Sequence, residues 1–395
     1  MKNIRPKLLV LIYADVEGYP PTMNQIRSLQ DAFSEIRVVQ RGNIAKRSNF
    51  FSDNVKFKNI KKNIGYSQQL NGSIFLKMKL YVSFILNIGV QIFSYRPTVI
   101  LIYDPVALFC FSFVKRLVNS KTIIWYHNHD VIEISGGSKL EKVIKTKEHA
   151  IMKELDIFSL PAMERLNHFD LSGFNGQFLF IPNYPSLALY SKYFKSRERN
   201  IKTFNLLFQG SIGSGHGLEE IINVLGWNEE IEKNIMLHLK GNVHEKYKND
   251  LLKITNNQGK EEFVKFHPYT EYEKVPELAS KCELGIAIFL KTDVMNSTLG
   301  TSSNKIYEYG AVGTPILYFK NDHFDKYLGE CKWAFPTDLS KNSLLKVVNE
   351  INANFEYYSN AAFVDFSERF NFELSQAKVK EALTSVALKK KDNTF

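Results

Sequence analysis

Apolar runs of strand length recur along the chain, separated by stretches with helical spacing of apolar positions. In the first half the runs are KLLVLIYA from Lys7, IRVVQ from Ile36, TVILIYD from Thr98, KTIIWYH from Lys121, IFSLP from Ile157 and FLFIPN from Phe178. Amphipathic stretches at 22–33, 106–118 and 138–154 lie between them. Strands that are apolar throughout and alternate with helices indicate a parallel sheet covered on both faces. The first half therefore predicts a Rossmann-like domain. The segment YPSLALYSKYFKSRERNIKTF after Asn183 has no strand period and reads as a linker. The alternation then resumes at 205–210, 235–241, 263–268, 284–289 and 315–319, with helical patterns at 217–226, 244–255, 271–280 and 304–312. A second Rossmann-like domain is expected, followed from about residue 340 by a helical tail that breaks at Phe370 and Asn371. The expected division is 1–190, 200–370 and 371–395, an α/β protein with two parallel-sheet domains.

With 395 residues, 44% of them hydrophobic and only 23% charged, the chain excludes both a lone small module and a disordered one. Cys110, Cys282 and Cys331 are too few and too scattered for a disulfide framework or a structural zinc site, and a reducing cytoplasm is expected. No leader is expected, because Asp15 and Glu17 follow the first apolar run where small residues would be needed. The longest apolar stretch, Tyr81 to Tyr95, is interrupted by Ser83, Asn87 and Gln91 and falls short of the ~20 residues of a spanning helix. Charge is uneven: residues 1–195 carry +12 and the remainder −2. An anionic partner for the first half is one reading, and a lysine-rich solvated surface is the other. Lys56, Lys58, Lys61 and Lys62 fall in one loop-like segment. The stretch from Ile74 to Phe93 then mixes Lys77 and Lys79 with large apolar residues, as in a helix lying at a lipid interface or in a core helix on the sheet.

Open α/β sheets bind ligands beyond the carboxyl ends of their strands, and two joined sheets of this kind would face a central cleft. In the second domain the first strand runs into GSIGSGHGLEEII. Gly210, Gly213 and their neighbours allow a tight turn with exposed N–H groups, and a helix beginning near His216 would aim its positive end at a phosphate. A glycine-rich turn also occurs as a plain connector. After the fourth strand, Thr301, Ser302 and Ser303 stand at a helix entrance, with Asn304, Lys305 and, one turn on, Glu308. Donors and a cation suit a diphosphate, and a carboxylate suits a vicinal diol such as ribose.

The segments SNKIYEYGAVGTPIL, FLFIPNYP and LLFQGSIGSGHGLEEII, in this order of strands, resemble the GT-B glycosyltransferases. The resemblance is to the large family of retaining, nucleotide-sugar-dependent enzymes that build bacterial polysaccharides and glycolipids. It implies an acceptor-binding first domain, a donor-binding second domain and a last helix that returns to the first. It further implies that Glu308 binds the donor ribose, with Gly210, Ser211, Gly213, His216 and the 301–305 loop around the diphosphate. Three positions depart from the family pattern. Ser211 and His216 stand where an Arg and a Lys are common, and Gly300 stands where a second Glu usually contacts the sugar.

In the first domain the strand ending in His127, Asn128, His129 and Asp130 offers three readings: a metal site, a satisfied structural histidine, or, by the resemblance, a donor-sugar contact through His127. Asp15, Glu17 and Gly18 follow the first strand on the acceptor side, with Glu17 as a candidate base. The expected activity is metal-independent transfer of a sugar from a UDP- or GDP-sugar to an acceptor hydroxyl, with His127, Glu17 and Lys305 as catalytic candidates and no cofactor. Expected partners are the nucleotide sugar, a glycan or lipid-linked acceptor and an anionic membrane surface, with no nucleic acid. The expected location is the cytoplasm, peripheral at the inner face of the membrane. A catalytically degenerate GT-B protein that binds a nucleotide sugar or a partner transferase, and a sugar-nucleotide epimerase, are the alternatives.

Overall fold

A computed structural model describes residues 6–42, 50–60, 72–133, 138–195 and 201–392. The chain divides into two compact units: residues 1–182 together with 373–395, and residues 183–372.

The first unit contains a seven-stranded sheet. Its strands are β1 (Lys7–Ile12), β2 (Glu35–Gln40), β3 (Val55–Asn59), β4 (Val99–Tyr103), β5 (Ile123–His127), β6 (Ile157–Leu160) and β7 (Gln177–Phe180). The order is β3-β2-β1-β4-β5-β6-β7, and every pairing is parallel. The continuous apolar runs have the cause inferred from the sequence: β4 is buried at all five positions. The loop-like segment of Lys56 and Lys58 is the strand β3. Its Lys56 and Lys58 are exposed on a strand at the sheet edge, where lysines discourage pairing with another chain. Lys61 and Lys62 lie outside the described residues.

The second unit holds β8 (Thr203–Gln209), β9 (Gly226–Asn228), β10 (Lys233–Lys240), β11 (Val264–His267), β12 (Leu284–Ile286), β13 (Ile316–Phe319) and β14 (Ala334–Thr337). Six of these run in the order β11-β10-β8-β12-β13-β14, all parallel, and β9 pairs antiparallel with β10. The strands β9 and β14 were missed, being short or interrupted by Pro336. Part of the stretch read as a linker is a helix, Leu187–Lys195, within this unit. In each sheet the chain order reverses between two neighbours, β1 and β4 in the first and β8 and β12 in the second. These are the points at which open α/β sheets leave room for a ligand.

The tail forms helices Lys341–Ala353, Phe355–Glu368 and Phe372–Asp392. Asn371 stands at the last break: it is buried, and its side-chain amide donates to the carbonyls of Phe366 and Ser367 in the last turn of the preceding helix. From Glu373 onward the chain belongs to the first unit again. There Gln25 bonds Gln376 at 2.9 Å, and Lys390 pairs with Asp156 at 2.7 Å.

Candidate functional site

At the carboxyl end of β8 the sequence alternates inward and outward positions, so Phe208 and Gln209 present different faces before the chain turns at Gly210. The turn is close to the neighbouring strand end. A Cβ on Gly241 would lie 2.0 Å from the Gly210 carbonyl oxygen, and φ is +121° at Gly210 and +136° at Gly241. Only glycines fit this approach. Beyond it, Gly213 has open space beside its Cα, and Ser211 is exposed.

Glu308 and Lys305 reach this strand end from the helix Asn304–Gly310. The Gln209 amide donates to the Glu308 carboxylate at 2.7 Å, and Tyr190 lies beside the same carboxylate. Burial pushes the Glu308 carboxyl up to about 7, opposed by Tyr190, Gln209, Lys305 and Lys240. The Lys305 ammonium sits 3.9 Å from the Phe208 ring centre and 5.0 Å from that of Phe289. It is also 3.5 Å from where a Cβ on Gly210 would be. Burial brings it down to about 7, with Glu308 acting in the opposite sense. Among the described residues no acceptor bonds this ammonium. Three further polar atoms, at the end of β8 and at the entrance of this helix, are buried without a partner among the described residues: Gln209 Oε1, Thr301 Oγ1 and Asn304 Oδ1.

The other positions around this turn are engaged within the unit. The helix after the glycine turn is Leu218–Ile222, five residues long, with Gly217 as its left-handed cap. A helix this short adds little dipole at His216. His216 Nδ1 donates to the Ile288 carbonyl at 2.9 Å, and burial, followed by Lys305, lowers the ring to about 4. His216 is thus neutral near pH 7, with its proton turned inward, and supplies no cation for a diphosphate. The Ser302 hydroxyl donates to the Thr298 carbonyl, and Ser303 caps its helix without a side-chain bond. The loop is instead fastened by Asn183, whose backbone N–H donates to Thr301 and whose amide donates to Ser302. At Gly300 a Cβ would lie 2.6 Å from His323 Nδ1, so His323 fills the space a longer residue would need. Gln209, Phe208, Phe289 and Asn183 were not singled out from sequence. Gln209 alone carried a signal, as the last polar residue of an apolar strand entering the glycine turn.

The first unit places its candidates in a different setting. Asp15 caps the turn Val16–Gly18 by accepting from the Glu17 backbone N–H, which leaves Glu17 half-buried and Gly18 exposed. His127 is 2% exposed. Its Nδ1 bonds the Ser159 hydroxyl at 2.8 Å and its Nε2 meets His129 Nδ1 at 3.3 Å. Burial and Arg165 lower His127 to about 3, so the ring is neutral. Both of its nitrogens are engaged inside the unit. His129 continues the chain to Thr22 and stacks on Tyr103, and its carbonyl accepts from Arg165. Asp130 accepts from Tyr19 at 3.2 Å. Among the described residues no group of three or more His, Cys, Asp or Glu is arranged to hold a metal.

Two parallel-sheet units, each reversing its strand order, with a glycine turn, a lysine and a buried glutamate at one reversal and a last helix shared back to the first unit, define the GT-B fold. Solved structures agree over nearly the whole chain. HepE of Anabaena in complex with UDP-glucose matches at 14% identity and TM-score 0.69, covering 96% of this chain and 100% of its own. Sucrose-phosphate synthase of Thermosynechococcus elongatus matches at 12% identity and TM-score 0.69, covering 97% of this chain and 99% of its own. WaaG, a glycosyltransferase involved in lipopolysaccharide biosynthesis, matches at 12% identity and TM-score 0.61, covering 95% and 98%. No family model and no curated protein sequence matches the chain.

Proposed function

We propose that the protein transfers a sugar from a nucleoside diphosphate donor to an acceptor hydroxyl. The observation that carries this is the juxtaposition of a buried carboxylate, Glu308, and an ammonium with no acceptor among the described residues, Lys305, beside the glycine turn after β8. The same fold in HepE has been solved with UDP-glucose bound. In this reading Glu308 accepts two hydrogen bonds from the ribose diol, and Lys305 and the N–H groups of the glycine turn hold the diphosphate. As the acceptor oxygen bonds the anomeric carbon, the bond from that carbon to the phosphate oxygen breaks and its electron pair leaves with the diphosphate. Lys305 stabilises the charge that builds there, a preorganised cation in an apolar surround. That cation supports a reaction without a metal ion, and the proposed outcome is retention. Glu17, half-buried after β1, is the proposed base for the acceptor proton. Three free, buried cysteines fit a reducing cytoplasm.

A second reading is a protein that binds a nucleotide sugar without transferring it, favoured by neutral His216 and by His323 occupying the space beside Gly300. Calorimetric titration with UDP and GDP, followed by mass spectrometry of products from nucleotide sugars incubated with a membrane lipid extract, separates the two. Binding with a new glycosylated product supports transfer. Binding without donor turnover leaves the second reading, and no binding of either nucleotide overturns both.

A further inference from the structure

The helix Ile74–Tyr95 has two apolar faces, and the fold uses one of them. Leu80, Phe84, Ile88, Ile92 and Tyr95 are buried in the first unit. On the other side Phe75, Met78, Val82, Leu86, Val90 and Phe93 recur every three or four residues, and each is more than half exposed, Phe75 at 81% and Phe93 at 74%. At 1.5 Å per residue the helix presents a stripe about 30 Å long. Soluble surfaces seldom leave so many large apolar side chains in one row.

Charge says what covers it. From Asn54 to Tyr103 the chain has no Asp or Glu and seven Lys and Arg. Lys77 and Lys79 are exposed in the first turns of the helix, and Arg96 is exposed just past its end. There a cleft of about 480 Å³ opens between Phe93 and Leu117, with Arg96 and Lys121 among its lining residues. The helix is the one among the described residues long and apolar enough to cross a membrane, yet its buried face ties it to the sheet. A second copy of the chain would set Lys77 and Lys79 against a helix with no carboxylate. Apolar groups in a row with cations at both ends and no anions match the boundary between acyl chains and anionic headgroups.

We propose that this exposed face docks the first unit onto an anionic phospholipid surface, the helix lying in the plane of the interface. The inference stands apart from the nucleotide-sugar reading, since it uses no residue of that site, and it gives a transferase access to acceptors held in a lipid layer.

The test is cosedimentation of the full chain with vesicles of phosphatidylcholine alone and of phosphatidylcholine with phosphatidylglycerol, at low and high salt. The parent should bind the anionic vesicles, less so as salt screens the attraction. Leu86→Glu with Val90→Glu should abolish that binding, while circular dichroism and UDP titration stay as in the parent. Lys77→Gln and Lys79→Gln should each weaken it about fivefold and leave any binding to neutral vesicles unchanged. The lysine variants keep the proposal testable even if the glutamate variant does not fold. It is overturned if the parent binds neither vesicle, if it binds both equally at every salt concentration, or if the glutamate variant folds and binds as the parent does. It is also overturned if light scattering shows a parent dimer that the glutamate variant breaks, with no vesicle binding, because a second copy then covers the face.

Discussion

The strand ends of the two units hold similar residue types, but the buried ammonium is paired in one and has no acceptor among the described residues in the other. After β5, the two histidines, Tyr126 and Glu148 consume one another's hydrogen bonds, and among the described residues only Asn128 Oδ1 and the Tyr103 hydroxyl of this cluster stay buried without a partner. His127 joins Ser159 to His129, His129 joins Thr22, and Glu148 takes Tyr126, Asn128 and the Lys145 ammonium. After β8, by contrast, Lys305 has no acceptor among the described residues, and Gln209 Oε1 and Asn304 Oδ1 are buried without partners. Buried polar groups normally find partners within the protein, so a cluster left short of them is costly unless a ligand completes it. The first cluster ties strands of its own sheet together, and the second is the one proposed above to take the nucleotide.

Four measurements bear on this contrast. The largest effect is expected from Lys145→Met, which leaves the Glu148 carboxylate, itself fully buried, without its cation. Denaturant unfolding should show a loss of about 3–5 kcal/mol, with UDP affinity of the folded variant unchanged. A weaker nucleotide in this variant would tie the first cluster to the ligand site.

Next comes Glu308→Ala, which should weaken UDP or GDP binding by about 1.5–3 kcal/mol. Stability should move the other way in Glu308→Gln. Burial raises this carboxyl to about 7, so ionising it costs the fold stability as pH rises from the ordinary carboxylate range through 7. The amide removes that cost, and the variant should unfold at higher denaturant than the parent above pH 7. Unchanged nucleotide affinity in the alanine variant would reduce Glu308 to a structural group.

The pH profile of nucleotide affinity is a third measure. Lys305, brought down to about 7 by burial, carries its proton below that pH, so diphosphate affinity should fall as pH rises above it, by up to about tenfold per unit. Protonation of Glu308 should weaken the ribose contact on the acid side, giving a maximum near neutrality. Lys305→Met should remove the alkaline fall, and a profile identical to the parent's would exclude Lys305 from the phosphates. The smallest effect is expected from Ser159→Ala, which deletes the hydroxyl shared by His127 Nδ1 and the buried Trp125 indole N–H. Thermal unfolding should report a loss of about 1–2 kcal/mol, and nucleotide binding should not change.

Much of this protein is settled by local pattern. A run such as VILIY is apolar at every position because both faces of a parallel strand are covered, and that property is written in consecutive residues. The same holds for the glycine turn after β8 and for Lys305 and Glu308, three residues apart on one helix. Short elements escaped: β9 has three residues and β14 contains a proline, and neither length nor periodicity marks them. What tertiary structure alone decided is which polar groups are already satisfied. His127 and His216 look alike as polar residues near strand ends, but Ser159 and Ile288, 32 and 72 positions away, each engage a ring nitrogen, and burial keeps both rings neutral. The helix Ile74–Tyr95 is apolar on two sides by sequence, and only packing on the sheet determines which side is buried and which stays exposed. Hydrogen-bond partners and burial come from residues distant in the chain, and for that reason they cannot be read from spacing.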